Sequence, residues 1–221
     1  MSDAVQKLTA IQKTMAKHLV ASWTDVPQFS VECEIECEAL KEYREKLEFK
    51  TSFTTVIIKA VAMALKQHPR FTSFWNGDNI IEKKDINIGV AMDTARGLLV
   101  PVIHHADEMT VKNIHDRMEE YKARIPKGNF TMEQISDGTF TISNLGMFCV
   151  SRFTAVVNAP QSAILALSSM SEVPVVKNGK IVSSVMMRAT VSADHRVLDG
   201  AEVSRFLMDL KHILENLQAM L

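Results

Sequence analysis

The 221-residue chain carries 25 basic and 26 acidic residues, a net charge of −1, and is 47% hydrophobic. That balance excludes a chain too polar to fold and an electrostatic nucleic-acid binder, and the length suits one large domain or two small ones. No apolar run approaches the ~20 residues that span a bilayer, and the opening residues do not read as a secretory leader. Three cysteines (Cys33, Cys37 and Cys149) form no even disulfide framework, which predicts a reducing compartment. Cys33 and Cys37 stand apart from other ligand residues, so they read as small apolar fillers and not as a zinc site.

Leu8, Ile11, Met15 and Leu19 recur at helical spacing and predict a first amphipathic helix ending near Ser22, before Val26-Pro27. From Phe29 to Cys37 apolar residues alternate with Ser30, Glu32, Glu34 and Glu36, a strand with one buried and one acidic face. A short helix is expected over Ala39 to Leu47. A mostly buried one follows over Phe53 to Gln67, stopped by His68-Pro69. After the Asn76-Gly77-Asp78 turn, strands are expected from Asn79, over Asp85 to Met92 and over Leu98 to Ile103.

Thr110 to Ile125 has helical periodicity, and a short helix follows near Met132 to Ile135. Thr139 to Ser143 and Ala163 to Ser168 read as strands. Val173 to Val176 and Lys180 to Val191 flank Asn178-Gly179, a hairpin signal. The last helix carries Val203, Phe206, Leu207, Leu210, Ile213, Leu214, Leu217 and Met220 on one stripe. Its apolar end, Met220 and Leu221, reads as an interface element. No repeat or linker interrupts the chain, so one α+β domain over residues 1–221 is expected, a central sheet with flanking helices.

The strand before the last helix ends at Ala193-Asp194-His195-Arg196-Val197-Leu198-Asp199-Gly200. A histidine at a strand end with carboxylates on either side is suited to proton transfer, because its unperturbed pKa is ~6.5. Residue types alone equally allow His195 to close a turn and Asp199 to cap the helix. Gly200 is expected to supply backbone freedom to this strand-to-helix turn. Ser143, without further context, is a strand-end hydroxyl in a turn.

The wording of these segments carries a resemblance. His195-Arg196-Val197-Leu198-Asp199-Gly200 fits the pattern His-x-x-x-Asp-Gly. Thr139-Phe140-Thr141-Ile142-Ser143-Asn144-Leu145-Gly146-Met147-Phe148 supplies a second block, and Phe153 to Gln161 with Ala163 to Ala166 continues it. Ile88 to Thr94 with Gly97 to Ile103 is a third, and Met15-Ala16 and Val26-Pro27-Gln28-Phe29 match the opening. The chain resembles, along nearly its whole length, the dihydrolipoamide acyltransferases, core subunits of 2-oxoacid dehydrogenase complexes, and the related chloramphenicol acetyltransferases.

That resemblance implies a mixed sheet with flanking helices in a trimer-forming subunit, with active sites between neighbours. Trimers of this family build hollow cubes or dodecahedra of twenty-four or sixty subunits. The activity implied is acyl transfer, by the wording of the Ser143 block acetyl transfer, between dihydrolipoamide and coenzyme A. His195 is then the base, Ser143 the oxyanion donor, and Asp199 the residue that holds the catalytic loop. Coenzyme A is a substrate, lipoamide comes from a lipoyl domain not in this chain, no metal is required, and coenzyme A contacts stay unassigned. Expected partners are the 2-oxoacid decarboxylase/dehydrogenase and dihydrolipoamide dehydrogenase components, with neither nucleic acid nor membrane. The expected compartment is the bacterial cytoplasm, or the mitochondrial matrix if the chain is a trimmed one.

Two departures stand out. Gln12 replaces an arginine usual in the first helix, so Lys13 or Arg196 is expected to brace Asp199. The lipoyl domain, peripheral-subunit-binding domain and Pro/Ala-rich linkers of this family are not expected within these residues. The alternatives are a scaffold subunit with little catalysis, and a stand-alone acetyltransferase for a small hydroxyl compound.

Overall fold

A computed structural model describes residues 4, 5 and 7–220. The first helix, α1 (Ala10–Asp25), starts two residues after the first residue of the expected amphipathic stripe because Thr9 caps it: its side chain accepts from Gln12 N–H. Then come β1 (Gln28–Glu36), α2 (Glu38–Lys46), α3 (Phe53–Gln67), and the short strands β2 (Ser73–Trp75) and β3 (Ile80–Glu82). The next four strands are β4 (Ile88–Val90), β5 (Met92–Thr94), β6 (Gly97–Leu99) and β7 (Val102–Ile103). Helices α4 (Val111–Arg124) and α5 (Met132–Ile135) precede β8 (Phe140–Asn144) and β9 (Ala163–Leu167). The chain continues through β10 (Ser171–Lys177), β11 (Lys180–Asp194), α6 (Gly200–Glu215) and α7 (Leu217–Met220).

The main sheet runs β1-β11-β9-β8-β4-β7, with β10 paired to the first half of β11. Parallel neighbours β9-β8-β4 sit among antiparallel ones, so the expected mixed sheet is what forms. Its register sorts residues into two kinds of row. Phe29, Ala193, Ala163, Phe140, Ile88 and Ile103 lie in a line across one face, and Val31, Val191, Leu165, Ile142 and Val90 in the next. Helix α6 packs on this apolar face over β1 and β11, and α3 packs between α6 and α4. Phe206 of α6 stacks on Phe71, ring centres 4.3 Å apart, and meets Phe140 below it.

Rows on the opposite face are polar or small apart from Ile164. Glu32, Thr190, Ala166 and Ser143 form one, and Ser30, Ser192, Ile164, Thr141 and Gly89 another. The expected acidic face of β1 is a set of cross-strand pairs: Arg188 with Glu34, Thr190 Oγ1 donating to Glu32, and Lys177 with Glu36. The β8–β9 connection and α1 roof this face. Ser22 Oγ donates to Val157 O, and Asn158 and Gln161 join Thr141 in a buried network.

Three expectations on elements need correction. The two strands read over Asp85 to Met92 and Leu98 to Ile103 each split. Pro101 has no ladder donor, and Gly97, at φ 112°, turns β5 and β6 into a separate two-stranded arm. Gly89 is needed where the strands remain in the sheet, since a Cβ there would come within 2.7 Å of Val100 Cγ1. The final helix does not run through to Met220. At Asn216 the side chain donates to His212 O, competing with helical continuation, and α7 starts anew. The expected interface tail falls on the side chain of Met220 and on Leu221, which lie outside the described residues.

Phe71, Phe140 and Phe206 form an aromatic cluster under α6, all three fully buried. Phe206→Ala should cost about 3–5 kcal/mol of stability, because a ring-sized cavity is left among immobile neighbours. Urea unfolding of the two proteins measures it.

Candidate active site

His195 lies one residue past the end of the β1–β11 ladder, which runs from Glu36↔Met186 to Gln28↔Asp194. Its own N–H donates to Pro27 O at 3.0 Å, adding one more rung and fixing the backbone. The side chain is exposed. Phe29 pairs with Ala193, so His195 is its diagonal neighbour, two residues further along the opposite strand. The small Ala193 lets the two rings meet at 4.5 Å between centres. Among the described residues the imidazole makes no hydrogen bond to either flanking carboxylate or to any other group.

Asp194 is engaged elsewhere. Its buried carboxylate takes a bidentate pair from Arg196, Nε at 2.9 Å and Nη2 at 2.8 Å, and accepts Arg196 N–H as well. The guanidinium lies over Trp75, 5.3 Å from the ring centre. Arg70 braces the loop from behind: its Nη2 donates to Val197 O at 2.8 Å, and its Nε lies 3.4 Å from Glu202. Spacing in the sequence offers a weak signal for the Asp194–Arg196 clamp and none for Arg70, which is 127 positions away.

Asp199 caps α6. Its Oδ1 accepts Glu202 N–H at 2.7 Å, and Glu202 Oε2 accepts Asp199 N–H at 2.9 Å. Hydrogen bonds from the Glu202 and Ala201 amides pull its carboxyl below the ordinary value. Neither expected brace is present in the protomer. Arg196 is held by Asp194, Lys13 is exposed on α1, and Gln12 closes the α1 capping box with Thr9. Gly200 does not supply freedom to the turn: its φ is not positive, and a Cβ would meet open space. The helical N-cap at Asp199 makes the turn without it.

Ser143 is half-buried near the end of β8, in line with Ala166 of β9 and Thr190 of β11. His195 lies five residues beyond Thr190, about 17 Å along the strand, and two strand spacings away, about 10 Å across. Within one protomer the two side chains therefore sit about 20 Å apart, towards opposite ends of the sheet. Next to Ser143, Asn144 Nδ2 donates to Thr54 Oγ1, and Gly146 N–H donates to Asn144 Oδ1, which anchors the β8 end to α3.

A cavity of about 580 Å³ opens between α1 and β6, walled by Ile11, Met15, Leu98, Val102 and Phe130. His18 Nε2–H donates to Asn158 Oδ1 at its polar end, and the same His18 borders a smaller cavity of about 190 Å³ beside Asp194 and Arg196. Burial pushes the Cys33 thiol up to about 11 and Cys37 up to about 12, so neither forms a thiolate at neutral pH. Cys149 is exposed on the β8–β9 connection. Among the described residues no group of three His, Cys, Asp or Glu side chains is placed to hold a metal ion. No described helix is long and apolar enough to cross a membrane.

A histidine on a rigid strand end, over a mixed sheet with helices on its apolar face, is the arrangement of an acyltransferase core. The chain belongs to the 2-oxoacid dehydrogenases acyltransferase (catalytic domain) family, whose model matches residues 1–221. It is 37% identical over 219 residues to the lipoamide acyltransferase component of the Bacillus subtilis branched-chain alpha-keto acid dehydrogenase complex, covering 95% of this chain and 52% of that protein. Similarity to the dihydrolipoyllysine-residue acetyltransferase component of the pyruvate dehydrogenase complex of Staphylococcus aureus (strain Mu50) is 33% over 228 residues, 99% of this chain and 53% of the other. The chain thus spans about half the length of the curated relatives it matches.

Among solved structures, Azotobacter vinelandii dihydrolipoamide acetyltransferase superimposes with a TM-score of 0.94 at 31% identity, covering 99% of this chain and 93% of that one. The cubic core of a pyruvate dehydrogenase multienzyme complex gives 0.94 at 30% identity, with coverage of 99% and 93%. A chloramphenicol acetyltransferase gives 0.63 at 15% identity over 90% and 94% of the two chains, which bears out the expected fold alone.

Two outcomes follow for this loop. Arg196→Ala strands the buried Asp194 carboxylate and should lower stability by about 2 kcal/mol, with Arg196→Lys recovering only part, as urea unfolding will read. Asp199 has a folded pKa below its unfolded value of 3.8, so the carboxylate cap stabilises above that pH and is lost as pH falls through the folded value. Asp199→Asn keeps a cap that does not titrate there. The advantage of the unsubstituted protein in Tm at about pH 6 should therefore shrink as pH falls below 3.8 and vanish once pH is below the folded value.

Proposed function

We propose that this chain transfers an acetyl group between the thiol of dihydrolipoamide and coenzyme A. Its subunits are proposed to form trimers that build the core of a 2-oxoacid dehydrogenase complex. The observation that carries this is a spacing. The Azotobacter vinelandii study concerns a serine, a histidine and an asparagine in the catalytic mechanism, separated by 52 and then 4 positions. Ser143, His195 and Asp199 are separated by the same 52 and 4.

In this reading His195 takes the proton from the incoming thiol, because a free thiol titrates near ~8.5 and the thiolate is the nucleophile. The thiolate sulfur bonds to the thioester carbonyl carbon, and the carbonyl electrons move to oxygen. Ser143 Oγ–H of the neighbouring subunit donates to that oxyanion. When the oxygen lone pair returns, the original C–S bond breaks, and the departing thiolate recovers the proton from the imidazolium. The distance between Ser143 and His195 in one protomer supports a site assembled from two chains. Asp199 acts through the loop, by capping α6 immediately behind it, with aspartate in place of the relative's asparagine.

Residues 1–221 are read as one catalytic core domain, the lipoyl group arriving on a domain outside these residues. The partners proposed are the decarboxylase/dehydrogenase and dihydrolipoamide dehydrogenase components, and the compartment the bacterial cytoplasm, in keeping with the bacterial relatives. Twenty-four subunits agree with the cubic core of the structural relative. One observation favours a second reading of the acyl group: identity to the branched-chain relative, 37%, exceeds the 33% to the acetyltransferase.

The test offers acetyl-CoA and a branched acyl-CoA to the assembled protein with free dihydrolipoamide. Transfer of acetyl should dominate; preferential use of the branched chain would transfer the assignment to the second reading, and no transfer of either would overturn both. His195→Ala should lower the rate about 10²–10⁴-fold and Ser143→Ala about 10²–10³-fold, with the particle mass in solution unchanged. Equal rates in the histidine variant would leave a scaffold role.

A further inference from the structure

The backbone of His195 is held on both flanks, by Pro27 O on one side and by the Asp194–Arg196 clamp on the other. Its imidazole is held by far less. The ring is exposed and makes no hydrogen bond among the described residues, and both nearby carboxylates are committed, Asp194 to Arg196 and Asp199 to the α6 amides. A solvent-exposed side chain with two free torsions samples several staggered states. The aromatic contact that restrains it is Phe29, ring centres 4.5 Å apart and planes inclined by 46°.

Phe29 is itself well anchored. It is half-buried and packs against the hydrophobic core from the apolar face of β1. Its directly opposed partner is Ala193, which has too little side chain to fill the space above the strand. The benzyl group therefore leans along the diagonal to the next residue on that face, His195. A larger residue at 193 would take that space, and an aliphatic one at 29 would offer no flat surface to a ring. Phe29 and His195 lie 166 positions apart, and only the β1–β11 register brings them together.

We propose that Phe29 is a positioning residue for His195: its ring is the wall against which the imidazole rests, selecting the rotamer that presents a ring nitrogen to the incoming thiol. This rests on the proton-transfer role given to His195 above. A positioning role acts on the chemical step and not on substrate affinity, so it separates kcat from KM. An aromatic replacement should preserve it, while an aliphatic one of similar apolar volume should not.

The experiment measures steady-state acyl transfer by the assembled protein, from acetyl-CoA to dihydrolipoamide, for the unsubstituted protein, Phe29→Leu, Phe29→Tyr, Phe29→Met and His195→Ala. Phe29→Leu and Phe29→Met should lose about three- to tenfold in kcat with both KM values within about twofold. Phe29→Tyr should restore kcat. Unfolding midpoints taken alongside identify any variant that fails to fold, and either aliphatic variant suffices. Full kcat in a folded aliphatic variant, a change confined to KM, or no rescue by tyrosine overturns the proposal. If His195→Ala keeps full activity, the acyl-transfer reading falls and the positioning role with it. If only the histidine variant loses activity, the acyl-transfer reading survives and Phe29 does not position.

Discussion

The site depends on the antiparallel ladder between β1 and β11. Its pairs run without a bulge from Glu36↔Met186 to Gln28↔Asp194, and the His195 N–H continues them to Pro27. A slip of one residue would exchange the two faces of the strand, sending Val191 and Ala193 outward and Thr190 and Ser192 into the core. The register is therefore pinned from both sides at once. Apolar rows need α6 and α3, and charged rows pair Arg188 with Glu34 across the strands. His195 inherits that rigidity because it is the next residue after the ladder ends.

The two faces of the sheet divide the labour. The apolar face, covered by α6 and α3 and packed around Phe71, Phe140 and Phe206, supplies stability. The polar face, covered only by α1 and the β8–β9 connection, carries Ser143, Thr141 and the buried network through Gln161, Asn158 and His18. Thr141, Gln161, Asn158 and His18 find partners in that network, whereas the buried Ser192 Oγ in the same row has none among the described residues. Ser143 thus lies on the polar face, whereas His195, just past the ladder, lies on the apolar side with Phe29.

Rigidity is distributed unevenly over the loop from Asp194 to Asp199. Three separate devices hold its backbone: the rung to Pro27, the clamp of Arg196 on buried Asp194, and the cap of Asp199 on α6. Arg70 and Glu202 tie the last two together. None of these groups bonds the imidazole, which leaves its orientation to packing. Among the described residues no group of the protomer bonds either ring nitrogen. Ser143 lies two strands across and about 17 Å along the strand from His195, on the other face of the sheet.

Much of this protein was legible in its residues. Alternation in β1, the Asn178-Gly179 hairpin and the α3 boundaries appear where local pattern placed them, because period and turn chemistry are properties of neighbouring residues. The candidate residues His195, Ser143 and Asp199 were likewise visible as wording. Local pattern failed where competing partners decided. Asn216 breaks the last helix through a bond to His212 O, and Pro101 and Gly97 divide two apparent strands. Asp194 reads as a second acid beside the histidine, yet burial ties it to Arg196. Gly200 reads as a hinge, yet occupies ordinary space. What residues alone determined were most of the elements and the candidate groups His195, Ser143 and Asp199. Tertiary structure decided which groups touch, placing Phe29 on His195 and Ser143 at the far end, because those distances come from strand order and register, which relate residues 166 and 52 positions apart.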